Sequence, residues 1–358
     1  MRIGIVRRGY SATGGAESYL LRLAGGLAAA GHQPVLIASS DWPASAWPHE
    51  EVCRLPGRTP SAFASSFARV RGEFDVTLAL ERVPGCDVFR AGDGVHAAWL
   101  KRRAVGEPRW KSLLRAWNPK HATLLMLERK VFASTGLVIA NSRMVAREIT
   151  EYFSYPKDRL KIIPNGIASS VPLIPREDAR AKLGIEPGTY CGLFLGTGWD
   201  RKGLRTAVQA MDNLPGKNTL IVAGRGNAAA FAGRTTKFLG PTGDLTTIFS
   251  AADVFVLPTV YDPFSNACLE ALASGLPVLT TTANGFAEAI VPGVHGDIVE
   301  PGNPAQLTEA LARWQTHNHA ATATACRNRA AEFSLASNVA STISVLEAAA
   351  SIKEAPNR

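Results

Sequence analysis

The sequence predicts an α/β protein built from two tandem Rossmann-like domains, each a doubly wound parallel sheet, facing one another across a cleft. Short apolar runs alternate with amphipathic stretches along the chain, which is typical of β-α-β units. Glycine-rich turns join several of these runs to the helix that follows. The length of 358 residues exceeds what one hydrophobic core usually serves, so two domains of roughly 170 residues each are expected.

The predicted elements alternate in both halves of the chain. The first half carries strands over 3–6, 33–37, 76–80, 87–91, 136–140 and 160–163, with helices over 16–30, 123–132 and from Arg143. The second half carries strands over 190–195, 220–223, 237–239, 254–257 and 278–281, followed by helical sequence.

The stretch 168–175 contains two prolines without clear periodicity, which indicates a connector. We therefore expect an N-terminal domain over 1–167 and a C-terminal domain over 168–335. The terminal stretch 336–358 is Ala-rich and amphipathic, and either caps the second domain or crosses back to the first.

Composition excludes several protein classes. Hydrophobic residues make up 46% and charged residues 19%, which is typical of a globular enzyme and not of a disordered chain. The five cysteines show no Cys-x-x-Cys spacing, which favours a reduced, cytoplasmic compartment. No apolar run reaches the roughly 20 residues that span a bilayer, and the N-terminus reads as a first strand, so we expect a soluble protein.

The most informative stretch is 262–270, where two carboxylates eight positions apart bracket a break between an apolar strand and an amphipathic helix. Asp262 falls in the loop at the carboxyl end of the strand, and Glu270 falls inside the helix. The pair is placed to hold two ends of one ligand across the helix N-terminus, where open α/β sheets bind nucleotides. The residues at the predicted helix start are Phe264, Ser265 and Asn266.

A glycine-rich turn over 195–203 follows a predicted strand and precedes a predicted helix. It includes Gly198 and the adjacent cations Arg201 and Lys202. Fixed cations beside such a turn stabilise a leaving diphosphate. The alternative is a solvated surface pair. Cations at a helix N-terminus oppose the helix dipole, which favours a nearby anion.

Weaker turns lie at the same expected sheet edges. Gly14 and Gly15 join the first strand to its helix and form a plausible phosphate cradle, although the loop matches neither the dinucleotide fingerprint nor a nucleotide-hydrolase loop. The turns holding Arg225 and Leu239 can present backbone groups to a base. Each of these turns is by itself more often structural.

Asp93 and His96 lie on a glycine-hinged loop after a short apolar stretch. A buried histidine with its hydrogen bonds satisfied is the commoner outcome for such a residue. The alternative is that this loop of the first domain meets a bound ligand.

The net charge of +9 is concentrated in the basic segment, residues 99–120. Basic residues interleaved with tryptophans suit an anionic membrane surface or a phosphorylated acceptor, and a merely solvated basic face is equally expected. No nucleic-acid recognition signature accompanies the charge. The segment contains Trp99, Lys101, Arg102, Arg103, Arg109, Trp110, Lys111, Arg115, Trp117 and Lys120.

Taken together, these motifs resemble the retaining glycosyltransferases of the two-Rossmann-domain GT-B type, family four. The resemblance covers nearly the whole chain. The opening loop and the sequence Asp-Gly-Val-His over 93–96 are most similar to lipopolysaccharide core glucosyltransferase I-like enzymes. The motifs that carry it are Gly14-Gly15, Asn165-Gly166, the block 198–203 and the stretch 270–278.

The resemblance implies a hexose transfer from a nucleotide-sugar, with UDP-glucose as the expected donor, to an anionic saccharide or glycolipid acceptor at the inner-membrane surface. It implies that Arg201 and Lys202 hold the donor diphosphate, that Glu270 binds the ribose and that Asp262 contacts the sugar. The family usually has glutamate at position 262, so the arm here is one methylene shorter. Further donor contacts are expected from Gly14, Gly15, Gly198, Arg225, Leu239, Phe264, Ser265 and Asn266, and contacts to sugar or acceptor from Asp93 and His96.

The mechanism expected from the resemblance is front-side transfer with retention, without a metal or other cofactor. The chain has no Asp-x-Asp motif, and the two cations can replace the electrostatic role of a metal. Two alternatives remain open: a sugar-nucleotide 2-epimerase, and a non-catalytic protein that binds a sugar-nucleotide or glycolipid.

Overall fold

The computed structural model describes residues 1–11, 15–105, 118–168 and 172–354. The chain divides into two compact units, each with its own parallel β-sheet. The first unit comprises Met1–Ala168 together with Leu335–Arg358, and the second comprises Ser169–Ser334.

In the first unit, seven strands form a sheet of order β3-β2-β1-β4-β5-β6-β7, and all its pairs are parallel. The strands are β1 (Arg2–Val6), β2 (Gln33–Ser39), β3 (Val52–Leu55), β4 (Val76–Ala79), β5 (Val88–Arg90), β6 (Leu137–Ala140) and β7 (Leu160–Ile162). The helices are α1 (Gly15–Ala29), α2 (Pro60–Val70), α3 (His96–Val105), α4 (Pro119–Ser134) and α5 (Arg143–Phe153).

In the second unit, six parallel strands have the order β10-β9-β8-β11-β12-β13. The strands are β8 (Tyr190–Leu195), β9 (Asn218–Ala223), β10 (Thr236–Gly240), β11 (Val254–Leu257), β12 (Val278–Thr281) and β13 (Gly296–Val299). The helices are α6 (Arg176–Lys182), α7 (Leu204–Asn213), α8 (Leu245–Ala251), α9 (Asn266–Ala273), α10 (Pro304–Trp314) and α11 (His319–Ala331).

The predicted fold class, two Rossmann-like doubly wound parallel sheets, is confirmed. The central strands are buried on both faces, as helices covering a parallel sheet require. In the second sheet successive strands are added on one side of β8 up to β10 and on its other side from β11 onwards. The carboxyl ends of these two strands therefore form the switch point where such sheets bind ligands.

Several elements went unrecognised in the sequence, among them β3, β13, α2, α6 and α8. The strands β3 and β13 are four residues long and lie at sheet edges, and β3 is largely half-buried, so neither has a strong apolar signal. Helix α2 did carry a start signal: the Thr59 hydroxyl accepts from the Ala62 amide, and Pro60 occupies the first turn.

The last helix, α12 (Leu335–Glu354), packs on the first unit. Its buried side chains, including Val339, Val345 and Leu346, join the same hydrophobic core as Leu20 and Leu23 of α1. Contrary to the sequence expectation, it is by length and composition long and apolar enough to cross a membrane, with a mean hydropathy of 1.3 over an 18-residue window. Its apolar residues instead serve a helix-to-helix contact within this unit.

Candidate donor site and the residues around it

The central feature of the second unit is an ion pair between Lys202 and Asp262, which lie 60 residues apart in the chain. Lys202 stands in the loop after β8, and Asp262 stands in the loop after β11. The two side chains are 13% and 8% exposed. A charged pair is thus held, largely shielded from water, at the switch point of the sheet.

The loop after β8 is fastened directly to the loop after β11. The Arg201 carbonyl accepts from the Val260 amide and from the Thr259 hydroxyl, both at 2.8 Å. Gly203 approaches Pro258 so closely that a Cβ there would lie 1.9 Å from the Pro258 oxygen. Glycine at 203 is therefore required by both this contact and its φ of 75°.

Gly203 also caps α7 without a side chain that could accept from the first-turn amides. This helix end can therefore receive an anion. Arg201, two residues earlier, has an exposed side chain, whereas the ammonium of Lys202 is already held by Asp262. The two predicted cations thus differ: one is fixed, and the other extends into solvent.

A buried tryptophan shapes the glycine turn. The Trp199 Nε1 donates to the Gly196 carbonyl at 3.0 Å, and its ring packs 5.7 Å from Phe231 and 5.5 Å from Phe238. Gly198, with a φ of 72°, stays exposed at the tip of this turn. The indole therefore holds the backbone of the turn in place.

The loop carrying Asp262 is held by the segment after β12. The Asp262 amide donates to the Ala283 carbonyl at 3.0 Å, and its carbonyl accepts from the Gly285 amide at 2.8 Å. Asn284, between them, is 1% exposed, and its Nδ2 donates to the Thr280 hydroxyl at 2.9 Å. Asn284 was missed in the sequence because the Asp262 loop that its neighbours bind is distant in the chain.

Helix α9 begins where the sequence predicts. The Ser265 hydroxyl caps it by accepting from the Cys268 amide at 3.4 Å, and Phe264 is buried against Phe286. Their side chains are therefore engaged in the fold. Asn266 and Glu270 are half-buried and one helical turn apart, on one face of α9.

Burial raises the pKa of the Cys268 thiol beside this helix start to about 12. The thiol is therefore kept protonated and does not compete for the cations.

The two positions expected to contact a nucleotide base belong to β10 and to the turn after β9, and these strands lie on one side of β8 in the second sheet. Arg225 is exposed in the turn after β9, while Leu239 is half-buried within β10 itself and not in a loop. Gly224 approaches the turn over 195–203 so closely that a Cβ would lie 1.9 Å from the Gly196 oxygen. The turn after β9 is therefore in close contact with the turn after β8.

In the first unit, Gly14 lies outside the described residues, and Gly15 is the exposed first residue of α1. Arg7, which the sequence analysis did not single out, lies 3.0 Å from Glu17 and 3.9 Å from Asp93. Burial disfavours its charge, but Asp93, Glu81 and Glu17 outweigh that effect and raise the pKa of Arg7.

His96 is the first residue of α3 and not part of the preceding loop. Burial, together with the charge of Arg82 and the neighbouring His121, lowers the pKa of His96 to about 4. The imidazole is therefore neutral near pH 7. The Asp93 side chain, three residues earlier, is 59% exposed.

Much of the basic segment, 106–117, lies outside the described residues, including Arg109, Trp110, Lys111, Arg115 and Trp117. Within α3, Arg102 pairs with Glu148 at 2.7 Å, and Arg103 lies 5.2 Å above the Trp99 ring. Arg102 is therefore paired with a carboxylate of its own unit. The prediction that the basic side chains of this segment all face solvent or a partner is wrong at this residue.

Across the ranges that the structure describes, no group of three His, Cys, Asp or Glu side chains is placed to hold a metal ion.

Two family profiles match the chain. Residues 13–170 match the profile described as Glycosyltransferase Family 4, and residues 190–317 match the profile described as Glycosyl transferases group 1. Together they span most of both units.

Among curated proteins, the chain is similar to the lipopolysaccharide glucosyltransferase WaaG of Escherichia coli. The two are 26% identical over 339 residues, which cover 86% of this chain and 88% of that protein. It is also similar to a probable transglycosylase of Burkholderia thailandensis, with 26% identity over 87% of this chain and 85% of that protein.

Two solved structures show the same fold. The crystal structure of WaaG superposes with a TM-score of 0.79 at 23% identity, covering 96% of this chain and 99% of that chain. The HepE protein of Anabaena, solved with UDP-glucose, superposes with a TM-score of 0.73 at 18% identity, covering 97% and 100%. On its profiles, its two parallel sheets and these likenesses, the chain belongs to the family-four glycosyltransferases with two Rossmann-like domains.

Proposed function

We propose that this protein transfers a hexose, with retention and without a metal, from a nucleotide-sugar to a lipopolysaccharide-core or similar saccharide acceptor. The observation that carries the proposal is the Lys202–Asp262 pair at the switch point of the second sheet. An ammonium group and a carboxylate side by side suit a ligand that has a diphosphate next to a sugar.

The diphosphate is assigned to Lys202, Arg201 and the N-terminal end of α7. The ammonium of Lys202 has three N–H donors. Asp262 accepts from one of them, so phosphate oxygens can accept from the other two. Arg201 is exposed and is free to swing onto the same anion. As the bond between sugar and phosphate breaks, the charge that grows on the phosphate is stabilised by these groups.

The sugar is assigned to Asp262, with Asp93 and His96 contacting sugar or acceptor. A carboxylate accepts from sugar hydroxyls, and a neutral imidazole exchanges a hydrogen bond with a hydroxyl without attracting the diphosphate. Glu270 is assigned to the ribose hydroxyls. Asn266, Ser265, Phe264, Arg225, Leu239 and Gly198 provide further donor contacts, those of Ser265 through backbone groups because its hydroxyl caps α9.

In the transfer step, the bond from the anomeric carbon to the phosphate oxygen breaks, and a bond to the acceptor oxygen forms on the same face. The acceptor proton passes to the departing phosphate. This balance needs no further base, and the charge of the leaving group is neutralised by Lys202 and Arg201.

UDP-glucose is the proposed donor, supported by the bound UDP-glucose of the HepE structure. The test is a thermal-shift screen of UDP-, GDP- and ADP-sugars, because a ligand that binds the folded state raises its stability by mass action. Stabilisation by UDP-glucose above all others supports the proposal. Incubation with the donor alone then separates transfer from epimerisation, since formation of an epimer without acceptor contradicts it.

The proposed acceptor is an anionic saccharide or glycolipid at the cytoplasmic face of the inner membrane, consistent with a WaaG-like activity. The basic segment provides the positive charge that such a surface attracts. Lys101 and Lys120 belong to the parts of the segment that the structure describes. Co-sedimentation with vesicles containing anionic lipid, reversed by salt, is the expected result. Equal binding to neutral vesicles contradicts the proposal, and nucleic acid is not an expected partner.

A further inference from the structure

We propose that helix α4 positions His96 from two sides, through His121 on its imidazole and Glu128 on its backbone. The inference rests on the function proposed above for His96 and assigns two positioning residues to it. Neither residue was recognisable in the sequence, because both lie more than twenty positions after His96.

Glu128 is a carboxylate buried to 1% exposure. One of its oxygens accepts from the His96 amide at 2.8 Å, and the other accepts from the Ala97 amide at 3.3 Å. These are the first two amides of α3, which otherwise need a capping side chain. Glu128 therefore caps α3 from another helix, and its charge is favourable at that end of the dipole.

The same carboxylate also fixes the loop that leads into α3. Arg82 Nε donates to Glu128 at 3.2 Å, and Arg82 also donates to the Gly94 carbonyl at 3.2 Å. Removal of the Glu128 charge would leave a partly buried guanidinium without its counter-ion. The loop over 93–95 and the start of α3 therefore share one anchor.

His121 holds the side chain of His96. Its Nδ1 lies 3.1 Å from His96 Nε2, and Trp99 packs against both rings at 5.4 Å and 5.8 Å. One of these two nitrogens donates and the other accepts, so the tautomers of the two rings are linked. Since Nε2 is engaged in this way, Nδ1 is the ring nitrogen assigned to a substrate hydroxyl.

His121 and Glu128 are seven residues apart, which places them on one face of α4 two turns apart. A single rigid element thus sets both the position and the ring orientation of His96. Among the described residues, the titratable and charged groups near the imidazole include His121, Arg82, Glu128 on the amide side, and Arg103 above Trp99.

The test begins with NMR of the ring nitrogens in protein labelled with ¹⁵N at its seven histidines. The His96 signals are identified by their loss in His96→Gln. In the unsubstituted protein we expect one fixed tautomer and a titration midpoint near pH 4. In His121→Phe we expect a tautomer mixture, whereas His121→Asn, whose amide occupies the place of Nδ1, should restore the single tautomer.

The second arm measures turnover with UDP-glucose and a saccharide acceptor. For Glu128→Gln we expect kcat to fall about 10- to 100-fold with the UDP dissociation constant unchanged, because a misplaced reacting group affects the chemical step. The matched control is Glu148→Gln, which also removes a buried carboxylate paired with an arginine of this unit but does not touch His96. We expect its kcat to change less than about twofold, since it leaves the reacting groups in place.

The proposal is overturned if His121→Phe leaves the His96 tautomer and midpoint unchanged, or if Glu128→Gln and Glu148→Gln lower kcat equally. A protein that transfers no sugar but shows the expected NMR changes contradicts the proposed function and not the positioning by α4. The two failures are therefore distinguishable.

Discussion

Lys202 and Asp262 form an ion pair across the two loops that close the switch point of the second sheet. The cation assigned to the diphosphate is thus neutralised by the carboxylate assigned to the sugar. A donor that places a phosphate beside Lys202 and a hydroxyl beside Asp262 satisfies both groups at once. Mutual pairing is what allows two charged groups to remain this far shielded from water.

Replacing Lys202 by alanine should lower transfer by at least about 100-fold, because one preorganised donor to a developing charge contributes that much. It also leaves Asp262 buried without its partner, which should destabilise the second unit by about 1–3 kcal/mol. Steady-state kinetics and urea unfolding measure the two effects. Lys217→Ala, which removes an exposed pair with Glu186, is the control and should change neither. Near-normal turnover in Lys202→Ala would refute the assignment.

Replacing Asp262 by asparagine should separate binding from turnover. The ammonium of Lys202 loses its intramolecular competitor, so UDP should bind up to about tenfold more tightly, a change of about 1.4 kcal/mol. The rate of transfer should fall, because the sugar hydroxyls lose a charged hydrogen-bond acceptor. Calorimetric titration with UDP and initial-rate measurements test the two halves. Weaker UDP binding in this variant would show that Asp262 does not compete with phosphate.

Gly203→Ala should destabilise the protein by more than about 2 kcal/mol, since a Cβ would meet the Pro258 oxygen at 1.9 Å in a left-handed conformation. Gly188 has a similar φ of 72° but no atom near its would-be Cβ. Gly188→Ala should therefore cost only about 1 kcal/mol. Equal losses of unfolding free energy in the two variants would contradict the close approach of the two loops.

Gly26→Ala tests the packing of the last helix on the first unit. A Cβ at Gly26 would lie 2.5 Å from a Val339 methyl, while the neighbouring Gly25 has open space. We expect Gly26→Ala to destabilise by about 1–3 kcal/mol through overpacking and Gly25→Ala to stabilise by about 0.5–1 kcal/mol through helix propensity. The double variant Gly26→Ala with Val339→Ala should recover part of the loss. Thermal unfolding distinguishes these outcomes.

The pH dependence of stability should carry a contribution from His96. Its pKa falls from an ordinary value of 6.5 to about 4 in the folded protein. Between these values the unfolded chain binds the extra proton, so this contribution is fully present above about pH 6.5 and is lost as the pH falls towards 4. Urea unfolding at several pH values should show a shallower acid decline for His96→Gln. Identical pH profiles for the two proteins would contradict the depressed pKa.

The sequence by itself determined the fold class, because apolar periodicity and glycine turns are local signals that survive without any knowledge of contacts. It also placed Lys202 and Asp262 in their loops and helix α9 within one residue of each end, since Ser265 is a local cap. Edge strands β3 and β13 escaped because each is only four residues long, which is too short to carry a clear apolar pattern.

Only the tertiary structure decided which residues meet. It paired Lys202 with Asp262, tied the Asp262 loop to Asn284, and brought Glu128 and His121 to His96. It also placed the last helix on the first unit. These contacts join positions tens to hundreds of residues apart, and their geometry is set by how strands align in a sheet and how helices pack on it, which no local pattern encodes.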